Sequence, residues 1–160
     1  MIMKQELYAA IRRSGRAIID LGERIYRNPE TGFKEYGTAR IVTEAFAGLP
    51  LTQQKFTDIP GLKLTLDTGR PGPGVAILGE LDAVTCPSHA DANPETGAVH
   101  ACGHNIQIAA MYGAAIGLLQ SGIIDQLCGR IHFLAVPAEE YIEIAFRKQL
   151  INSGTLSFLG

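Results

Sequence analysis

Val75-Ala-Ile-Leu-Gly-Glu-Leu-Asp-Ala83 decides the reading of this chain: a short continuous apolar run suited to a buried strand, followed at once by two acids. A second segment repeats the arrangement. Ile131-His-Phe-Leu-Ala-Val136 has the composition of a strong strand, is stopped by Pro137 and leads into Glu139 and Glu140. In open α/β sheets ligands bind beyond the carboxyl ends of the strands. If these two strands are parallel neighbours, Glu80, Asp82, Glu139 and Glu140 converge on one crevice.

Helices surround these strands. Lys4 to Arg27 reads as one helix, with Leu7, Ile11, Ile18, Leu21 and Ile25 on one face, ended by Asn28-Pro29. A second helix is expected from Thr38 to Leu49, closed by Pro50. Leu62-Lys-Leu-Thr-Leu66 alternates like a half-buried strand, and Gly69 to Gly74 is a turn. Residues 85–99, polar and rich in Pro, Asp and Asn, read as a surface loop. Asn105 is placed to cap a helix running to about Ser121, which Gly122 ends. The small residues of that helix, Ala109, Ala110, Gly113, Ala114 and Gly117, suit close packing against a sheet. Tyr141 to Leu150 reads as a helix and Leu156 to Leu159 as the start of another strand. Helices alternating with strands give an α/β class, layered α/β/α around a mostly parallel or mixed sheet.

Composition narrows the function. The chain has 160 residues, 46% hydrophobic and 19% charged, which is ordinary for one globular domain and argues against disorder. A net charge of −2 gives no reason to expect nucleic acid or an anionic membrane as partner. No apolar run approaches the roughly 20 residues that span a bilayer. The opening Met1-Ile-Met-Lys-Gln-Glu-Leu-Tyr8 lacks an apolar signal core, so the expected location is cytoplasmic. There Cys86, Cys102 and Cys128, an odd number, are reduced thiols, ligands or core residues rather than a disulfide framework.

The chemistry gathers around His100-Ala-Cys-Gly-His-Asn105. Cys102 and His104, two residues apart across Gly103, can face one ion, and zinc accepts sulfur, imidazole and carboxylate together. A helix start and a metal would both lower the thiol's pKa. Adjacent Glu139 and Glu140 suggest a division of labour, one binding metal and one accepting a proton from water. Taken singly, each motif has a plain alternative: Cys-x-His as chance, Glu-Glu as a solvated helix start, Glu-x-Asp as a turn. Their joint occurrence at element ends favours a metal site. His89 reads as solvated, His132 as core or surface alternation, and Cys86 and Cys128 as packing residues. His100 suits a group behind the ligands or a loop residue equally. A Cys102–His104 nucleophilic pair is disfavoured, because the base of a cysteine nucleophile usually comes from a distant segment.

Arg27-Asn-Pro-Glu-Thr-Gly-Phe33 with Glu35, Gly79-Glu-Leu-Asp-Ala83, His100-Ala-Cys-Gly-His-Asn105 and Pro137-Ala-Glu-Glu140 occur in an order and spacing that resemble the M20 metallopeptidase and amidohydrolase family. The likeness covers essentially the whole chain and looks most like the aminobenzoyl-glutamate hydrolase branch. It implies a two-metal amidohydrolase using zinc or manganese on N-acyl amino acids, aminobenzoyl-glutamate-like conjugates or small dipeptides. It further implies that Cys102 bridges the metals, His104 and Glu140 bind metal, Glu139 is the general base, and Asp82 orients the ligands with Glu80 nearby.

Relatives of that family continue for well over twice this length, with further histidine ligands and an inserted dimerisation domain. No histidine follows His132 here. The expectation is therefore a partial catalytic domain over residues 1–160 without the dimerisation or lid domain. Three protein donors would hold at most one metal, and activity alone would be impaired. Self-association or a complementing fragment is the expected partnership, beside a small-molecule amide substrate. The alternative is a non-catalytic metal-binding or oligomerising remnant.

Overall fold

The computed structural model describes residues 2–141 and 144–154. The expected strand Leu156 to Leu159 lies outside them. In chain order come α1 (Ile2–Arg13), α2 (Gly15–Tyr26), α3 (Tyr36–Phe46), β1 (Thr52–Lys55), β2 (Leu62–Asp67), β3 (Gly74–Glu80), β4 (Val84–Thr85), β5 (Ala98–Val99), α4 (His104–Gln120), β6 (Arg130–Val136) and α5 (Ile144–Asn152). Short 3-10 turns occupy Ile123–Gln126 and Glu139–Tyr141.

Four strands form a mixed sheet in the order β1-β2-β6-β3. β3 and β6 run parallel, pairing Gly74 with Arg130 through to Glu80 with Val136, while β2 is antiparallel to β6 and β1 to β2. Alternation along β6 splits its side chains between two faces. Phe133 and Ala135 enter the main core with Leu62, Leu64 and Leu66 of β2, Leu21 and Ile25 of α2, Val42 and Phe46 of α3, and Ile108 and Met111 of α4. Leu134 and Val136 meet Leu150 of α5 on the other face, with Phe33, Phe56 and Ile59 around them. The α/β layering expected from sequence is present, with the sheet mixed.

Several expectations change. The N-terminal helix is two helices. The Ser14 amide is shared between the carbonyls of Ala10 and Ile11, both at 3.2 Å, and Gly15, a poor helix former, follows. Val75 to Leu78 is a strand but not a buried one. Among the described residues β3 lies at the sheet edge, where Val75 is 52% and Leu78 58% exposed. The 85–99 loop is anchored by the small antiparallel pair β4–β5, whose Ala98 and Val99 are buried. The small stripe of α4 faces helices rather than the sheet. A Cβ on Gly113 would lie 3.1 Å from Ile18, one on Gly117 2.8 Å from Ile11, and one on Gly22 3.3 Å from Ala109. The sheet-facing side of α4 carries Ile108, which sits over Gly79 of β3, where a Cβ would be 2.8 Å from its terminal methyl.

The start of α4 also differs. Gly103 is the N-cap, in the left-handed region at φ 88°, and the helix begins at His104. Asn105 makes no cap: its amide donates to the Gly22 carbonyl at 3.2 Å and ties α4 to α2. At the other end of the chain, the helix expected from Tyr141 is a 3-10 turn followed by α5.

Candidate metal centre

Because β3 and β6 are parallel and in register, their carboxyl ends emerge side by side. The Leu81 amide prolongs the pairing by donating to Val136 O at 2.9 Å. Glu80 and Asp82 leave one strand, Glu139 and Glu140 follow the other, and the first residue of α4, His104, lies between them. The convergence expected from the two motifs is what the fold produces.

His104 organises the group. It is buried, and its Nδ1 lies 2.8 Å from the Asp82 carbonyl oxygen and 3.3 Å from Asp82 Oδ1. A carbonyl only accepts, so Nδ1 carries a proton and Nε2 points the other way. Around Nε2 stand Glu80 Oε2 at 3.1 Å and Glu139 Oε2 and Glu140 Oε1, both at 3.7 Å. Glu80, His104 and Glu139 each offer a donor atom within 4.8 Å of the others. The Cys102 thiol is exposed and hydrogen-bonds to Glu140.

Burial and charge compete here. Burial alone would lower the His104 imidazole, but its hydrogen bonds to Asp82 and the charges of Asp82 and Glu80 raise it to about 9. Burial alone would raise Asp82, yet hydrogen bonds from His104 and from the amides of Glu140 and Glu139 hold it below the usual carboxylate range. Cys102 departs from expectation. Its hydrogen bond to Glu140, then burial and the nearby carboxylates, push the thiol up to about 11. In the metal-free protein these acids outweigh the helix start.

The residues fit a divalent cation. Glu140 Oε1 is buried and, among the described residues, has no hydrogen-bond partner, while several acids crowd one histidine nitrogen. A cation would satisfy that oxygen and offset the acidic charge; imidazole held through Nδ1 by a carbonyl or carboxylate is the usual arrangement behind a metal. Cys102, His104, Glu139, Glu140 and Asp82 are thus brought together.

Sequence reasoning undervalued Glu80, the nearest acid to His104 Nε2. It missed Gln107, whose amide donates to Glu80 Oε2 at 2.9 Å while its carbonyl accepts from the Glu80 amide at 3.2 Å. The signal was present: Gln107 lies three residues after His104, hence on the same face of α4. His100 is buried, its ring nitrogens have no hydrogen-bond partner among the described residues, and burial with the His104 charge lowers it to about 4. His89, exposed, and Cys86 and Cys128 stand apart from the cluster. His132 is a buried strand residue whose Nδ1 lies 3.0 Å from the Thr65 hydroxyl.

Glu35, named in sequence only beside the Arg27–Phe33 motif, was given no role there. It is fully buried, with Oε1 accepting from the Ala138 amide at 2.8 Å. Burial raises its carboxyl to about 7, against those backbone hydrogen bonds and with Asp82 and Glu30 adding to the rise. An acid raised in the folded state favours folding fully below its unfolded pKa, and that contribution disappears as pH rises through the folded value. Stability relative to Glu35→Gln is therefore expected to fall from about pH 4.5 to above pH 7, by up to about 3 kcal/mol. Urea unfolding of both proteins at pH 5 and pH 8 measures this; an unchanged difference would show that Glu35 is not held protonated.

No family model matches the chain. Thermostable carboxypeptidase 2 of Saccharolobus solfataricus is 29% identical over 144 residues, covering 88% of this chain and 36% of that protein. One of the subunits of the p-aminobenzoyl-glutamate hydrolase of Escherichia coli is 30% identical over 150 residues, covering 85% of this chain and 30% of that polypeptide. In fold, a dinuclear metal-binding peptidase of the M20 family from Bacillus subtilis superposes with a TM-score of 0.79 at 23% identity, over 93% of this chain and 42% of the peptidase. The chain thus spans about a third of the length of the curated relatives it matches. In sequence the chain is thus similar to carboxypeptidases and amidohydrolases, and in fold it is similar to a peptidase of the M20 family.

Proposed function

We propose that this chain carries a metal-dependent amidohydrolase site that cleaves the amide bond of N-acyl amino acids, aminobenzoyl-glutamate-like conjugates or small dipeptides. One observation carries the reading: a buried histidine, locked through Nδ1 by Asp82, turns Nε2 towards three glutamates. The relatives' names, a carboxypeptidase and a p-aminobenzoyl-glutamate hydrolase, support the substrate class.

His104, Glu140 and Cys102 would hold a divalent zinc or manganese ion, with Glu80 close by. Such an ion supplies Lewis acidity to water and to the scissile carbonyl. The chain's own residues do the rest. Asp82 fixes the imidazole's tautomer and direction. Glu139, the more exposed of the adjacent pair, takes a proton from the attacking water and returns it to the leaving nitrogen. The setting is cytoplasmic, where the three cysteines stay reduced; among the described residues no helix is long and apolar enough to cross a membrane.

A second reading, metal binding without turnover, is favoured by the donor set. Three ligands suffice for one zinc with an open position but not for a two-metal clamp. Self-association or a complementing fragment would then complete the site. The open, apolar edge of β3 supports this through the exposed Val75 and Leu78. Stripping metal with a chelator and restoring zinc or manganese separates the readings. The hydrolase reading expects hydrolysis of aminobenzoyl-glutamate to fall at least a hundredfold and return; metal uptake with no hydrolysis in either state supports the second.

A further inference from the structure

The segment Asn28 to Thr38 has no part in the chemistry above, yet it touches the metal centre's frame at three places. Glu30 accepts from the amides of Gly37 at 3.0 Å and Thr38 at 2.6 Å, satisfying the start of α3, while its backbone carbonyl accepts from the Ala83 amide at 2.8 Å, next to Asp82. Gly32 lies directly under the turn after β6. A Cβ there would run into the Tyr141 ring and lie 3.1 Å from Ala138 Cα, so a larger residue would displace that ring and press on the turn. Glu35 then reaches across to the Ala138 amide.

That amide belongs to an unusual residue. Ala138 is fully buried and left-handed, with φ 59°. A non-glycine residue persists in that region, at a cost of about 1–3 kcal/mol, only where its surroundings dictate it. Pro137 has no amide hydrogen, so Ala138 N–H is the first donor after β6. Two buried carboxylates hold the turn at different residues, Glu35 at the Ala138 amide and Asp82 Oδ2 at the Glu140 amide, 2.8 Å away in each case. Asp82 also faces His104. Glu35 does not, so among the described residues its hydrogen-bonded link to the centre passes through the turn.

We infer that Glu35 is a positioning residue: from the start of α3 its buried carboxyl holds the left-handed Ala138 turn and so aims Glu139 and Glu140 at His104. This rests on the reading of that cluster as a metal centre. The carboxyl acts as an acceptor, not as a charge, so glutamine can replace it. Methionine, of similar size, cannot.

Amide hydrogen exchange and cobalt titration of the full chain test this in Glu35→Met and Glu35→Gln. In metal-free Glu35→Met, exchange at residues 138–140 should rise at least tenfold beyond any rise in β6. Its cobalt affinity should fall about tenfold, with altered visible bands but a retained thiolate-to-cobalt band from Cys102. Glu35→Gln should match the unsubstituted chain within twofold in both. Exchange at 138–140 that rises no more than in β6, or cobalt binding and spectrum unchanged in Glu35→Met, overturns the inference. An unsubstituted chain that binds no cobalt overturns the metal-centre reading instead, and exchange alone then decides whether Glu35 holds the turn.

Discussion

Glu139→Gln in the metal-loaded protein is expected to slow amide hydrolysis by about 10²- to 10⁴-fold, the usual worth of a positioned general base, while leaving metal affinity within a few-fold. Glutamine keeps the shape and hydrogen bonding of the side chain but cannot take the proton from water. The adjacent Glu140→Gln should behave in the opposite way, losing metal first. Both carboxylates lie 3.7 Å from His104 Nε2, so distance does not separate them. Environment does. Glu139 is 38% exposed in its side chain and can meet water, whereas Glu140 is 22% exposed and presents a buried oxygen with no hydrogen-bond partner among the described residues. Single-turnover hydrolysis beside metal titration reads both quantities. Metal loss in Glu139→Gln with intact binding in Glu140→Gln would reverse the roles.

Asp82→Ala is expected to cost about 3–5 kcal/mol of metal-free stability, the range for removing one partner of a buried charged pair. Asp82 has no exposed surface, pairs with His104 and accepts from the Glu140 amide, so truncation takes the buried carboxylate away from the imidazolium, which keeps Glu80 and the backbone carbonyl, and leaves the part-buried Glu140 amide without its acceptor. The sign with pH follows from the shifts. His104 is raised to about 9, so its pairing contributes fully below its ordinary value of 6.5 and is lost as pH rises through 9. Asp82 is lowered, so its contribution is lost only as acid protonates it. The gap between Asp82→Ala and the unsubstituted chain should therefore be wide at pH 7 and narrow towards pH 10. Denaturant unfolding at the two pH values measures it, and a gap below about 1 kcal/mol at pH 7 would mean that the pair is solvated.

The parts of this fold that were legible in sequence are those set by short-range pattern. Leu62 to Leu66 and Ile131 to Val136 announced themselves by alternation and aliphatic density, and the acids after Val75–Leu78 and Ile131–Val136 needed only a parallel pairing to converge. What was illegible depends on neighbours distant in the chain. Val75 and Leu78 look like buried-strand residues, but exposure follows strand order, and β3 sits at the edge. The glycines and alanines of α4 read as a close approach to a sheet; they receive α1 and α2 instead. Asn105 looked like a cap, yet a left-handed Gly103 took that place and freed the side chain for Gly22.

The site divides in the same way. Cys102, His104, Glu139, Glu140 and Asp82 were named from sequence and lie together. Glu35 was given no role and Gln107 was missed because a lone acid and a helical glutamine ordinarily face solvent. Only the fold reveals that Glu35 is buried under Ala138 and that Gln107 grips Glu80. The thiol of Cys102 was expected to be acidified by the helix start, but it is raised instead, since Glu140 is its immediate neighbour and a carboxylate at hydrogen-bond distance outweighs the partial charge of a helix terminus.

Elemental analysis of the purified chain, after loosely bound ions are removed, tests the central claim most directly. About one equivalent of a divalent metal in the unsubstituted chain and none in His104→Ala is the expected result, one ion for a single set of three protein ligands. No retained metal in the unsubstituted chain, or equal metal in both, would contradict the assignment of His104 and its glutamates as a metal centre.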